Sequence, residues 1–409
     1  MKRILLASCC LLLLLPRAGA QRACGAYPFL LEASRTDPSL AMPIVPRTSP
    51  LQTLSDAPRE LPLIRIPVVV HVLFNNDQQN ISEAQIRSQI DVLNKDFRKL
   101  NADTAFIPAA FRFLATDCRI EFQLASSDPA GRATKGIVRK ATSVHGFGLD
   151  ESIRSNARGG SDPWDASQYL NIWVAPLSRG LVGFSSPPGI RKDMDGVVIS
   201  FTAFGTTGTV HAPYNKGRTA THEIGHWLGL RHIWGDSDCG NDYIDDTPPQ
   251  SSSTLGCPSG VISTCNNGPN GNMYMNFMDF TDDACISMFT RGQAAVMRSL
   301  FEDHGKRNSL LSSTGLNSPS LPALPEEYQP GVNTIRLFPN PASQFVQLET
   351  AQSMDGQPVV IRNYAGQIVL QSSVCRGGKI MLNRLSNGMY FVTIGQSKVT
   401  KLFVAGLGL

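Results

Sequence analysis

His222-Glu223-Ile224-Gly225-His226-Trp227-Leu228-Gly229-Leu230-Arg231-His232 decides how the rest of this chain is read. His222 and His226 are four positions apart, a little over one helical turn, so both imidazoles stand on one face and can share a metal. Glu223 lies beside them, in reach of a water held at that metal. Gly229 permits a left-handed stop to the helix, after which His232 can return as a third ligand. Three nitrogen donors and one open position describe a catalytic zinc site, since structural zinc is closed by four protein ligands. The expected chemistry is hydrolysis of a peptide bond, with Glu223 as general base and proton carrier and no covalent intermediate. Chance placement of the five-residue core of this pattern is on the order of 10⁻⁵ at average residue usage, which favours the metal reading over three histidines at an ordinary buried helix end. The other histidines, such as His71 and His145, carry no comparable pattern and read as structural.

Working outward, the zinc helix is expected over Thr219–Leu230. On its N-terminal side, Ile66 to Phe74 is an apolar, β-branched run typical of a buried strand. Ser82 and Gln85 fit a capping box, and Ile81 with Ile86 a hydrophobic staple. Ile86, Ile90, Leu93 and Phe97 form a helical apolar stripe. Further strands are expected at 119–124, 170–174 and 196–199. After the zinc helix the chain reads as loop to Thr290, where a helix is expected to run to about Phe301. Asn276-Phe277-Met278-Asp279-Phe280 lies some fifty residues past the zinc motif.

The chain has 409 residues, 42% hydrophobic and 17% charged, with a net charge of +4. That length calls for more than one domain. The mild, dispersed positive charge gives no basis for nucleic-acid binding. Lys2 and Arg3, the apolar run Ile4–Leu15 and Ala18-Gly19-Ala20 read as a signal peptide over residues 1–20. No later segment is long and apolar enough for a permanent membrane span. Residues 21–60 lack a sustained period and read as a pro-segment. A Pro/Ser/Gly-rich linker follows the catalytic region at 313–334, and 335–409 shows a compact β pattern with turn signals at Asp355-Gly356, Ala365-Gly366 and Asn387-Gly388. Nine cysteines are present. Cys239, Cys257, Cys265 and Cys285 cluster, and an exported chain favours their pairing, with three pairings open from spacing alone.

Arg218-Thr219-Ala220-Thr221 before the zinc motif, Arg231-His232-Ile233-Trp234-Gly235-Asp236 at its end, Asp245-Asp246-Thr247-Pro248, Asn276 to Asp279 and Asp282-Asp283-Ala284-Cys285 together resemble the pappalysin family of the metzincin clan, in its bacterial ulilysin branch. The likeness covers roughly residues 60–305. It implies an α+β catalytic domain over 61–312, with a twisted mixed sheet, a backing helix, an active-site helix and a loop-rich lower part. It implies that Met278 lies beneath the metal and that Cys239 pairs with Cys265 and Cys257 with Cys285. It implies calcium in the lower part, where Asp242, Asp245 and Thr247 offer oxygen ligands. Protein or peptide substrates would lie along an upper edge strand, for which Leu181-Val182-Gly183-Phe184 is the candidate. The family usually has a tyrosine two residues after the turn methionine; this chain has Phe280, which cannot donate a hydrogen bond to an oxyanion.

Gln21-Arg22-Ala23-Cys24-Gly25 resembles the cysteine-switch motif of the same branch, which implies that Cys24 is the zinc ligand of a latent zymogen. Phe338-Pro339-Asn340-Pro341-Ala342, Gly388-Met389-Tyr390-Phe391-Val392 and Lys401-Leu402-Phe403-Val404 resemble a type IX secretion sorting domain. That implies a small C-terminal β-sandwich, an interaction with the type IX machinery, and passage through the periplasm to the surface or medium. The competing function, a surface adhesin that kept its zinc helix, is favoured only by Phe280; the intact Glu223 favours the enzyme.

Overall fold

The computed structural model describes residues 23–44, 61–178, 180–321, 336–349, 354–382, 385–395 and 400–405. The expected signal peptide and most of the expected linker lie outside them. The chain folds as two units.

Among the described residues the main sheet has seven strands: β1 (Ala23–Cys24), β2 (Ile64–Phe74), β3 (Ile120–Leu124), β4 (Leu170–Ala175), β5 (Leu181–Ser185) and β6 (Val197–Ser200), with Ile137–Ala141 pairing on β2 off this path. The first unit's principal helices are α1 (Ala26–Thr36), α2 (Glu83–Phe97), α3 (Arg218–Trp227) and α4 (Arg291–Ser299). β2 is buried from Ile66 onward on both faces, which is why its sequence runs apolar without alternation. It pairs in parallel with β3 and β4, Ile64 opposite Ile120 and Val68 opposite Leu170. β4 is parallel to β6. β5 then runs antiparallel to β6, Gly183 opposite Ile199. β1 adds in parallel outside β5, Cys24 opposite Gly183. The catalytic sheet thus has β5 as its rim, and the pro-segment sits on that rim.

α2 packs on β3, and α3 packs on α2, β5 and β6. Ile86, Ile90, Leu93 and Phe97 are buried as one face of α2. Burial of each such side chain stabilises by ~1.5–3 kcal/mol. Ser82 caps α2 by accepting from the Gln85 N–H at 3.1 Å, but the expected box is only half formed. The Gln85 amide donates instead to Phe201 O and Phe204 O, at 3.2 and 2.9 Å, and fastens the loop after β6. Thr290 and Gln293 make a full reciprocal box at α4, a helix that ends at Ser299, short of Phe301.

Two further boundaries differ from the sequence reading. The pro-segment is not irregular throughout, because α1 spans 11 residues of it. The catalytic body also continues past residue 312: Gly315 O accepts from Ser126 N–H and Leu321 O from Ala133 N–H, both at 2.9 Å.

The second unit has two antiparallel sheets. One holds Arg336–Phe338, Phe345–Glu349 and Lys379–Met381; the other holds Pro358–Arg362, Ile368–Ser373, Gly388–Ile394 and Thr400–Val404. Val346, Leu348 and Ile380 share a core with Val359, Ile361, Val392 and Leu402, so this unit is a β-sandwich. Gly356 and Gly366 turn with φ of 78° and 80°, whereas Gly388 opens a strand. Among the described residues no helix is long and apolar enough to cross a membrane.

Candidate active site

α3 is anchored at its start by buried charge. Arg218 meets Asp96 at 3.0 Å and Asp103 at 2.9 Å, and the Thr221 hydroxyl donates to Asp96 at 2.7 Å. These bonds fix α3 to the end of α2. The regular helix stops at Trp227, three residues before the expected end. The Leu228, Gly229 and Leu230 N–H groups close the last turn onto Ile224, His226 and Gly225 carbonyls, and Gly229 takes φ of 87°. This is the left-handed stop that turns the chain and returns His232.

The three imidazoles converge. His226 Nε2 lies 3.1 Å from His222 Nε2 and 3.0 Å from His232 Nε2. On the far side of each ring, Nδ1 faces an acceptor: Phe277 O at 2.7 Å for His222, Leu230 O at 2.9 Å for His226, and the Asp236 carboxylate for His232. A carbonyl or carboxylate oxygen only accepts, so each Nδ1 carries the ring proton and each Nε2 presents a lone pair. Three lone pairs at this separation repel unless a cation lies among them, and the donor set therefore fits zinc. Burial, then the neighbouring His232, holds the His226 pKa well below the ordinary imidazole value, which keeps that ring neutral with its Nε2 lone pair free. Asp236 stands behind His232 as its acceptor, a role that the sequence pattern does not assign although the four-residue spacing is a usable signal.

Glu223 is fully buried beside His222. β5 passes directly over it: a Cβ at Gly183 would stand 2.9 Å from Glu223 Cγ and 3.1 Å from Oε1. Glycine at 183 is what lets the rim approach the carboxylate. Met278 is buried beneath α3, and a Cβ at Gly225 would stand 2.5 Å from its sulfur. The turn is held by Met278 N–H donating to Asn276 Oδ1 at 2.9 Å. It supports the metal site through Phe277 O, the acceptor for His222. The Phe280 ring lies 5.6 Å from His222 and 4.9 Å from both His232 and Trp234. It packs against the ligand rings and brings no donor there.

Cys24 joins the cluster from β1. Its Sγ is 3.6 Å from His226 Nε2, and the ligand atoms of Cys24, His222, His226 and His232 all lie within 4.8 Å of one another. Burial first, then the Glu223 carboxylate, pushes the Cys24 thiol well above its ordinary pKa. A doubly charged metal in reach of the sulfur inverts that balance. Gly25 N–H donates to Gly183 O at 2.9 Å, and Arg231 donates to Ala41 O, so the pro-segment is tied on both sides of the metal position.

The lower part carries disulfides Cys239–Cys265 and Cys257–Cys285. They close loops separated by 26 and 28 residues, and each stabilises by ~3 kcal/mol in the chain-entropy account. Cys24, Cys118 and Cys375 are free thiols. Asp242 and Thr247 are buried together while Asp245 is exposed. The Thr247 hydroxyl stands 2.8–2.9 Å from both Asp242 oxygens and Ile244 O, and burial pushes the Asp242 carboxyl up to about 7. His71 is a core residue between Ser161 and Asn171.

Comparison with known proteins follows the same outline. Residues 155–302 match the M43 peptidase family profile described as pregnancy-associated plasma protein-A. Residues 336–404 match the secretion system C-terminal sorting domain. An extracellular metalloprotease of Arthroderma benhamiae is 32% identical over 60% of this chain and 75% of its own. The structure of mature mirolysin from Tannerella forsythia in complex with a cleaved peptide is 49% identical, with TM-score 0.60, over 61% of this chain and 96% of that one. A promirolysin mutant from the same organism is 43% identical, with TM-score 0.64, over 71% of this chain and 97% of that one.

Proposed function

The chain belongs to the pappalysin family of metzincins and is a metalloendopeptidase with a C-terminal secretion sorting domain, and on that premise we propose how its own residues perform and restrain the reaction. It is a secreted or cell-surface protein. In our reading His222, His226 and His232 hold a zinc ion, Glu223 is the general base, and the precursor is latent because Cys24 takes the fourth ligand position. The observation that carries this reading is the meeting of three Nε2 lone pairs and one thiol beside a buried carboxylate.

Zinc bound there supplies Lewis acidity, polarising a carbonyl and lowering the pKa of a water. The protein's own part is positional. An extended substrate pairs with β5 once β1 has left it. Glu223, under Gly183, takes a proton from the attacking water and delivers it to the leaving amine. Asp236, Leu230 O and Phe277 O hold the three rings in the tautomer that leaves Nε2 free. Met278 and Gly225 set the depth of the helix over its support. Because Phe280 brings no hydroxyl, an oxyanion must be stabilised without the tyrosine usual in the family.

Separation of Cys24 from the body, by cleavage between Arg35 and Arg65, lowers the local thiol concentration and opens the rim. We further propose a structural calcium ion at the loop of Asp242, Asp245 and Thr247, where both Asp242 oxygens and Ile244 O crowd around the Thr247 hydroxyl. The sandwich serves as an address read by the type IX machinery; deletion of 335–409 leaves the truncated chain in the periplasm of a host with that system. Release of the truncated chain to the medium would remove this role.

The test is a digest of casein by self-processed enzyme, with and without a zinc chelator. Cleavage should cease with the chelator and return with added zinc. Undiminished cleavage by metal-free protein would sink the reading.

A further inference from the structure

Arg154 is the anomaly of the catalytic unit. It is 4% exposed, yet none of its three guanidinium nitrogens has a hydrogen-bond partner among the described residues. Burial pushes its pKa down to about 10, so it stays charged at neutral pH. Its neighbouring acids are all engaged elsewhere. Asp195 is held by Arg307, Trp227 and Ser186. Glu151 and Asp193 meet Arg191, and Asp150 caps Ser152. What surrounds the guanidinium is aromatic: it lies 5.2 Å from the ring centres of Phe29 and Trp173 and 5.3 Å from that of Phe184. Ring faces meet the charge, but they accept none of the five N–H donors.

The three walls differ in origin. Trp173 belongs to β4 and Phe184 to β5, so both stay with the catalytic body. Phe29 belongs to α1 of the pro-segment, five residues after Cys24, and is itself buried by this packing. Phe184 immediately follows Gly183, the residue that Cys24 faces across β5. When the pro-segment leaves, the guanidinium loses one wall and opens beside the rim that an extended peptide then takes.

We propose that Arg154 is a specificity-determining residue, the floor of a substrate subsite that takes a carboxylate and that Phe29 plugs in the precursor. The inference rests on the peptidase and zymogen reading above. A carboxylate meets the planar fork of N–H donors that the rings leave unanswered, and it does so bidentately. An amide of the same shape neutralises no charge and accepts with one oxygen, so the site discriminates Glu from Gln. The carboxylate is supplied either by an acidic side chain or by the free C-terminus of a short peptide.

The experiment uses wild-type enzyme self-processed from the full-length precursor. A neutral parent peptide, cleaved in a chelator-sensitive way, reports on the peptidase reading alone. Peptide pairs then differ only by Glu or Gln at each of the three positions on either side of the scissile bond. A second set differs only by a free or amidated C-terminus. One position should favour Glu over Gln by about tenfold in kcat/KM, carried mainly by KM; preference for the free acid would assign the subsite to the terminus instead. Arg154→Gln should bring that ratio to about one, and Arg154→Lys should restore part of it. If Arg154→Gln does not accumulate, the wild-type ratios decide. Ratios near one at every position and at the terminus, or a preference that survives Arg154→Gln, would overturn the proposal.

Discussion

Residues 222–232 and residues 23–44 converge where three imidazoles and one thiol could share a metal, but they are built in opposite ways. Two of the three histidines of the first stand one turn apart on one helix, and the third follows a glycine stop six residues later. Its geometry is local, and local geometry is written in residue spacing. The second has almost no local cause. α1 has 11 residues, a Gly25 N-cap without a side-chain bond and a proline in its first turn, and a helix of that length is marginal alone. It is held by partners far off in sequence: Cys24 on His226, Gly25 on Gly183, Phe29 on Phe184, Ala41 on Arg231. The first therefore carries its geometry within itself, while the second owes its placement to these distant partners.

The comparison breaks most visibly at Glu223. Glu223→Ala should lower proteolysis by roughly 10³-fold or more while zinc content stays near one per chain; a zinc-loaded mutant that still cleaves peptides would remove Glu223 from the role of base. Next in size is Cys24→Ala. With the other pro-segment contacts intact, the full-length variant should cleave a small peptide at least about tenfold faster than wild-type precursor, or process itself early. Equal latency would place the block in β1 and α1 and not in the thiol. Third, His71 sharpens the distinction between structural and ligating histidines. Burial lowers its pKa from 6.5 to about 4. The unfolded chain then binds the proton first as pH falls from 6.5, so stability is lost on going down to pH 4, by up to about 3 kcal/mol. Melting of the Glu223→Ala precursor at pH 7 and pH 4.5 should show a loss that His71→Gln reduces. An unchanged pH slope would clear His71 of that effect. Smallest is Phe280→Tyr, which should raise kcat a few-fold by placing a donor near the ligand rings; a lower kcat in a folded variant would mean that another group already serves the oxyanion.

How much could be read in the sequence follows the same division. The His222–His232 pattern, the buried run of β2 and the α2 stripe carry their periods in contiguous residues, and the structure places them accordingly. α1 escaped because Pro28 and the scattered polar residues hide its spacing. Ala26, Phe29, Leu30 and Ala33 do recur at helical intervals, and this was a usable signal. Gln85 satisfied the capping-box pattern, yet its amide went to Phe201 and Phe204, since a buried carbonyl pair outweighs a cap already met by Ser82. α3 stopped early because Gly229 takes a left-handed φ of 87° and the N–H groups of Leu228, Gly229 and Leu230 close the last turn. Arg154 left no mark at all, for burial without a partner is a property of the tertiary arrangement and one arginine reads like another.

The direct test of the central claim, that these three histidines and Cys24 close around one zinc in the precursor, is X-ray absorption at the zinc edge. The sample is the full-length Glu223→Ala precursor, which cannot process itself. The account predicts three nitrogen neighbours at about 2.0–2.1 Å and one sulfur at about 2.3 Å. A shell of nitrogen and oxygen alone, in a precursor shown to be intact, would contradict it.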